Sequence, residues 1–116
     1  MKVLVGTIQE LPEIKLPRAV ATEKKVIFGP NRCWETHVLR VYRINKNGST
    51  PEDKHEWPHW VYVIRGQGVV RIARKEYQIS EGSYMFIPGN ELHNLENTTP
   101  DPLEFICIVP AFTEDF

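Results

Sequence analysis

The stretch Asp53-Lys54-His55-Glu56-Trp57-Pro58-His59-Trp60-Val61-Tyr62-Val63-Ile64-Arg65-Gly66 decides how this chain folds. A residue before proline is pushed out of the helical region, so Trp57-Pro58 makes a turn and His59 opens a strand. Along that strand His59, Val61 and Val63 share one face, and Trp60, Tyr62 and Ile64 take the other. With 53–55 extended, Asp53 and His55 point the same way and Lys54 points away. The turn then brings His59 back across towards His55.

Working outward, the rest of the chain is punctuated in the same manner. Nine prolines and seven glycines leave few stretches long enough for a helix, while Val, Ile, Tyr, Phe and Trp cluster between the breaks. Strands are expected at Trp60–Arg65, Val69–Ala73, Glu76–Ile79, Ser83–Ile87, Leu92–Asn97 and Leu103–Pro110, a spacing that argues for an all-β sandwich or barrel. Residues 31–47 contain neither Gly nor Pro, and Trp34, Val38, Val41/Tyr42 and Asn45 would fit one helical face. A strand is preferred, because Val38, Arg40, Tyr42 and Ile44 also fit a period of two and the β-branched content favours extended backbone. Residues 1–30, with Pro12, Pro17 and Gly29-Pro30, read as short edge strands and loops.

The remaining composition excludes more than it assigns. The 116 residues make one domain, 1–116, with no room for a second substrate-binding lobe. Fourteen Lys+Arg against fifteen Asp+Glu, mixed along the chain, leave no basic footprint for nucleic acid or anionic lipid. The apolar run Phe105 to Val109 is about five residues, far short of the ~20 that span a bilayer, and no signal-peptide core is visible, so a cytoplasmic protein is expected. Cys33 and Cys107 make no disulfide framework and no Cys-x-x-Cys pair, so reduced thiols are expected.

Chemistry concentrates on three of the four histidines. His93 follows the turn Pro88-Gly89-Asn90 and starts an alternation in which His93, Leu95 and Asn97 share a face. A single histidine serves equally well as an ordinary polar residue, but neutral imidazoles grouped with one carboxylate suit Fe, Mn, Zn, Ni or Cu. Four such ligands leave positions open on an octahedral ion.

Residues 48–68 and 82–97 resemble the two motifs of the cupin superfamily. Anchored on Gly66, the first motif, G-x5-H-x-H-x3,4-E-x6-G, puts Asp53 at its first histidine, His55 at its second and His59 at its glutamate. The second, G-x5-P-x-G-x2-H-x3-N, matches Gly82, Pro88, His93 and Asn97. Asn90 stands in for the second glycine, and asparagine tolerates the left-handed conformation better than most residues. The stretch His55-x-Trp57-x-His59-x-x-Tyr62-Val63-Ile64-x-Gly66 is similar to small cupins whose four-histidine site can hold manganese, and the similarity extends to Arg40 and to Leu103–Pro110. The resemblance implies a double-stranded β-helix, a jelly-roll-like antiparallel barrel, holding one divalent transition metal, Mn or Fe before Zn, Ni or Cu. It implies ligation by His55, His59 and His93. Asp53 departs from the four-histidine pattern, and being shorter than histidine it is either a direct ligand or a neighbour of one.

Other residues keep two readings. Cys107 alternates with Phe105 and Val109 and either lines the barrel beside the metal or fills the core. Arg40 either reaches into the cavity towards an anionic substrate or stands exposed on its strand. Glu52 and Glu56 should face outward, and His37 should lie outside the site, exposed to solvent. Trp57 and Trp60 either cap the mouth or cover an interface, with a dimer contact preferred for Trp60. Uncovered sheet edges point to a homodimer. The resemblance implies a small-molecule oxidoreductase that uses dioxygen or peroxide. The alternatives are a non-redox isomerase or decarboxylase and a non-catalytic ligand-binding or sensing module.

Overall fold

The computed structural model describes residues 2–113. Eight strands follow a 3-10 turn at Ile8–Glu10: β1 Val20–Phe28, β2 His37–Ser49, β3 His59–Arg65, β4 Gln67–Ile72, β5 Lys75–Ser80, β6 Tyr84–Ile87, β7 His93–Asn97 and β8 Leu103–Pro110. They join in one curled antiparallel sheet in the order β5-β4-β7-β2-β8-β3-β6, with β1 paired to the other flank of β2. This is the all-β, jelly-roll-like architecture that the sequence leads one to expect.

Turn chemistry explains where the strands stop. Ala73 and Arg74 both take positive φ, 52° and 70°, which is the two-residue turn whose twist matches an antiparallel pair. Gly66 sits at φ 92° between β3 and β4, and a side chain there would run into the Pro102 carbonyl and the Leu103 backbone. Asn90 adopts φ 65°, so it performs the left-handed turn that its motif position demands.

The first third of the chain differs in detail from the sequence reading. Within 31–47 the strand begins only at His37; Asn31 and Cys33 take positive φ, and the segment before His37 is turns and isolated bridges. β1 runs longer than a short edge strand, pairing with β2 from Val20↔Ser49 to Phe28↔Leu39 across two register shifts.

Period-two alternation then sorts the core. Along β8, Leu103, Phe105, Cys107 and Val109 are buried while the residues between them are half-buried. They pack with Val38 and Ile44 of β2, Val61 and Val63 of β3, and Ile87 of β6. The outer face of β3 and β6 is aromatic, with cross-strand pairs Trp60↔Phe86 and Tyr62↔Tyr84, all exposed. Asn97, buried at the end of β7, gives its amide to the carbonyls of Ile44 (3.0 Å) and Asp101 (2.8 Å) and accepts from Thr99 N–H (2.9 Å). It therefore locks β7 to β2 and closes the loop that leads to β8.

Candidate metal centre

Backbone hydrogen bonds stitch the two motif loops together. Asp53 and His93 exchange both bonds, N–H to carbonyl at 3.0 and 2.9 Å, and Thr50 N–H donates to Leu95 carbonyl at 2.9 Å. Asn90 N–H donates to the His55 carbonyl at 2.6 Å. Beside it Gly89 packs so tightly on the Glu56 carbonyl that no Cβ fits. His55, between these ties, is held relative to His93 by main-chain bonds.

The side chains converge as the alternation requires. The ligating atoms of His55, His59 and His93 all lie within 4.8 Å of one another, and His59 Nε2 is 3.1 Å from His55 Nε2. Two atoms of that kind so close need a proton or a cation between them. The fit to a metal is good, since two nitrogens about 2.1 Å from one ion at a right angle stand about 3 Å apart.

The second nitrogen of each ring is also engaged. His55 Nδ1–H donates to the Trp57 carbonyl at 3.2 Å, and His93 Nδ1–H to the Glu91 carbonyl at 2.9 Å. Both bonds put the proton on Nδ1 and leave the Nε2 lone pair for a cation. The His55 ring is held further by parallel stacking on Trp57, centroids 4.2 Å apart. His59 Nδ1 lies 3.1 Å from Cys107 Sγ, which also receives Arg40 Nη2–H at 2.9 Å. The sulfur gives His59 an acceptor for Nδ1–H whenever a cation claims Nε2.

Electrostatics favour the neutral, ligating form of His59 and His55. Burial, then the Arg40 charge, then His93 and His55 push His59 down from 6.5 to about 2. Burial first, then His93, lowers His55, with the Trp57 carbonyl and the Asp53 carboxylate opposing.

The cluster opens onto a cavity of about 260 Å³. Val61, Ile87, Leu95 and Phe105 make much of its wall, Arg40 and Cys107 reach it from the core, and Arg18 and Asp53 line it from the segments around its opening. Arg40 is therefore inside, 4% exposed, with its guanidinium 5.4 Å from the Tyr42 ring centroid. Cys107 satisfies both of its readings, for it belongs to the core and faces the cavity.

Asp53 lies at the cavity but apart from the three-histidine grouping; its Oδ1 accepts from Arg18 Nη2 at 2.6 Å. Glu52 and Glu56 are exposed. His37 lies outside the cavity but is half-buried rather than free in solvent, since it stacks on Trp34 at 5.0 Å and meets Trp60 edge-on at 6.0 Å. Trp57 belongs to the site, whereas Trp60 lies on the outer face. Sequence reasoning missed Arg18 and the Leu16–Ala19 segment, which reach the cavity only through the path of the chain before β1.

Comparison with known proteins agrees with this geometry. A cupin-domain family profile matches residues 40–109. The chain is 25% identical over 88 residues to 1-methylthio-D-xylulose 5-phosphate methylsulfurylase from Rhodospirillum rubrum, covering 76% of this chain and 55% of that one. It is 33% identical over 57 residues to an oxalate-binding protein from Thermotoga maritima, 48% of this chain and 47% of that one. The chain thus spans about half the length of these curated relatives. Among solved structures, the polyketide cyclase RemF from Streptomyces resistomycificus superposes with a TM-score of 0.85 at 22% identity, over 95% of this chain and 80% of RemF. At that identity the likeness speaks for the fold. Taken with the two motifs and the converging histidines, the profile match shows that this chain belongs to the cupin-domain family.

Proposed function

We propose that the protein is a metal-dependent oxidoreductase, of the dioxygenase or peroxide-using type, acting on a small organic molecule. One observation carries this reading: three convergent imidazoles, two with Nε2 atoms 3.1 Å apart, open onto a largely apolar cavity. His55, His59 and His93 would hold one divalent ion, manganese or iron, and Asp53 would approach it directly or through water. Such an ion, with positions left open by three protein ligands, supplies redox and Lewis-acid chemistry. The chain's own contribution is positioning. Trp57 and the Glu91 carbonyl orient two rings, Cys107 and Arg40 orient the third, and the apolar wall excludes water from the substrate.

The relative named as an oxalate-binding protein favours a second reading, in which the same cavity binds a small ligand without redox turnover. Isomerase or decarboxylase chemistry uses the same residues. Oxygen-electrode and peroxide-consumption assays on manganese-, iron- and zinc-loaded protein separate these. Turnover with manganese or iron and none with zinc supports the oxidoreductase, because zinc cannot cycle electrons. Equal activity with all three, or none, contradicts it.

We also read the chain as a cytoplasmic homodimer that pairs through the outer face of β3 and β6. The exposure of Trp60 (41%), Tyr62 (51%) and Phe86 (53%) on one contiguous surface supports this. Among the described residues no helix is long and apolar enough to cross a membrane.

A further inference from the structure

We infer that Arg18 selects the ligand of this cavity, and that the selected class is a compact organic oxyanion which takes the place of Asp53 on the Arg18 guanidinium. The inference rests on the cavity being the substrate site, and it does not depend on which metal is held.

Four observations carry it. First, Arg18 Nη2 already grips a carboxylate oxygen, that of Asp53, at 2.6 Å beside an otherwise largely apolar cavity. The Asp53 carboxylate occupies the position that a ligand's oxyanion would take. Second, the two partners are tied down unequally. Asp53 is fixed through both of its backbone bonds to His93, whereas Arg18 sits in the Leu16–Ala19 turn, whose own main-chain bond is Ala19 N–H to Leu16 carbonyl at 3.1 Å. In an exchange Asp53 stays and Arg18 follows the ligand. Third, the Arg18 side chain is 66% exposed and that of Asp53 34%, and an ion pair so exposed costs little to break. The same guanidinium facing a ligand oxyanion against an apolar wall would form a drier, paired hydrogen bond, which suits the planar fork of arginine. Fourth, Ala21 takes φ 47° at the register shift between Val20 and Thr22. This kink, costly for a residue with a Cβ, sets the direction from which the 16–19 turn enters β1.

Size narrows the class. A cavity of about 260 Å³ lies just below the usual range of small-molecule sites, about 300 to 1,000 Å³, so the ligand is a single ring or its equivalent bearing one anionic group. A carboxylate and a phosphate ester share the required chemistry.

The test is calorimetric titration of the full chain with benzoate, phenyl phosphate and the neutral isostere benzamide. It is run on chelator-treated protein, where an anion gains nothing from a metal, and repeated on manganese-loaded protein. The wild type should prefer an anion to benzamide. Arg18→Gln should weaken anion binding roughly five- to tenfold and leave benzamide unchanged. Asp53→Asn should tighten anion binding several-fold in chelator-treated protein, because Arg18 then has no carboxylate to leave. Phenyl phosphate outbinding benzoate identifies a phosphate ester as the class, and the reverse order a carboxylate; in either case the dependence on Arg18 must hold. The inference is overturned if benzamide binds as well as the anions, if Arg18→Gln leaves them unchanged, or if all three probes shift together. Failure of every probe to bind would overturn the cavity reading as well, whereas loss of charge selection alone sinks only the role of Arg18.

Discussion

The two sides of the cavity are built on opposite principles. On the motif side, residues 53–59 and 88–97 are laced by main-chain bonds that do not depend on side-chain identity, and the histidines project from that frame. On the N-terminal side, the Leu16–Ala19 turn meets the cavity through side chains, with the Arg18–Asp53 ion pair as its link across to the motif side. The difference teaches a division of labour. Ligands to a metal need positions fixed to within a fraction of an ångström, which backbone bonding provides, while a group that selects a ligand gains from being able to change partners.

The contrast can be broken most severely on the rigid side. His59→Ala removes the ring whose Nε2 lies 3.1 Å from that of His55, and it should lower metal affinity by more than about 100-fold, read by competition with a chelator. Next, Gly89→Ala puts a Cβ against the Glu56 carbonyl and should cost about 1–3 kcal/mol in urea unfolding while loosening the His55 loop. Cys107→Ala leaves the three imidazole rings in place but removes the sulfur that His59 Nδ1 faces at 3.1 Å. A loss of about 10–100-fold in metal affinity is expected, measured in the same competition assay.

Acid should find the rigid side too. Burial and the Arg40 charge hold His59 at about 2 against 6.5 for a free ring, so between those values the unfolded chain binds a proton that the folded chain refuses. The stability of metal-free protein is therefore full above about pH 6.5 and falls as pH drops, with a slope from this one group of up to about 1.4 kcal/mol per pH unit. Urea midpoints at pH 7.5 and 5.5 check it, and His59→Asn should flatten the profile. The smallest effect belongs to the other side. Ala21→Gly relieves a positive φ at the base of the N-terminal turn but adds freedom to the unfolded chain, so stability should change by less than about 1 kcal/mol.

The same division explains what could be read from sequence. The alternation His59, Val61, Val63, and that of His93, Leu95, Asn97, translates directly into faces of β3 and β7, because a strand has only two. Asn90 in the place of glycine was legible for a similar reason: a turn that requires positive φ admits few residues. Cys107 could be placed on an inward face but not assigned to cavity or core, and Arg40 could be placed on one face of its strand but not told from an exposed arginine, since period two groups residues by face and gives no distance. Arg18 was illegible. No periodicity surrounds it, and its approach to Asp53 arises from pairing across 35 positions of sequence. The late start of β2 at His37 goes with the positive φ of Asn31 and Cys33; asparagine admits that conformation, but nothing in the sequence marks Cys33 for it.

The central claim, that His55, His59 and His93 form a metal centre, is tested most directly by elemental analysis of protein purified without added metal, alongside His93→Ala prepared identically. Close to one transition-metal ion per chain is expected in the wild type and little in the variant, with reloading after chelation restored only in the wild type. A wild type that carries no stoichiometric metal and takes up none on reloading, behaving like the variant, would contradict it.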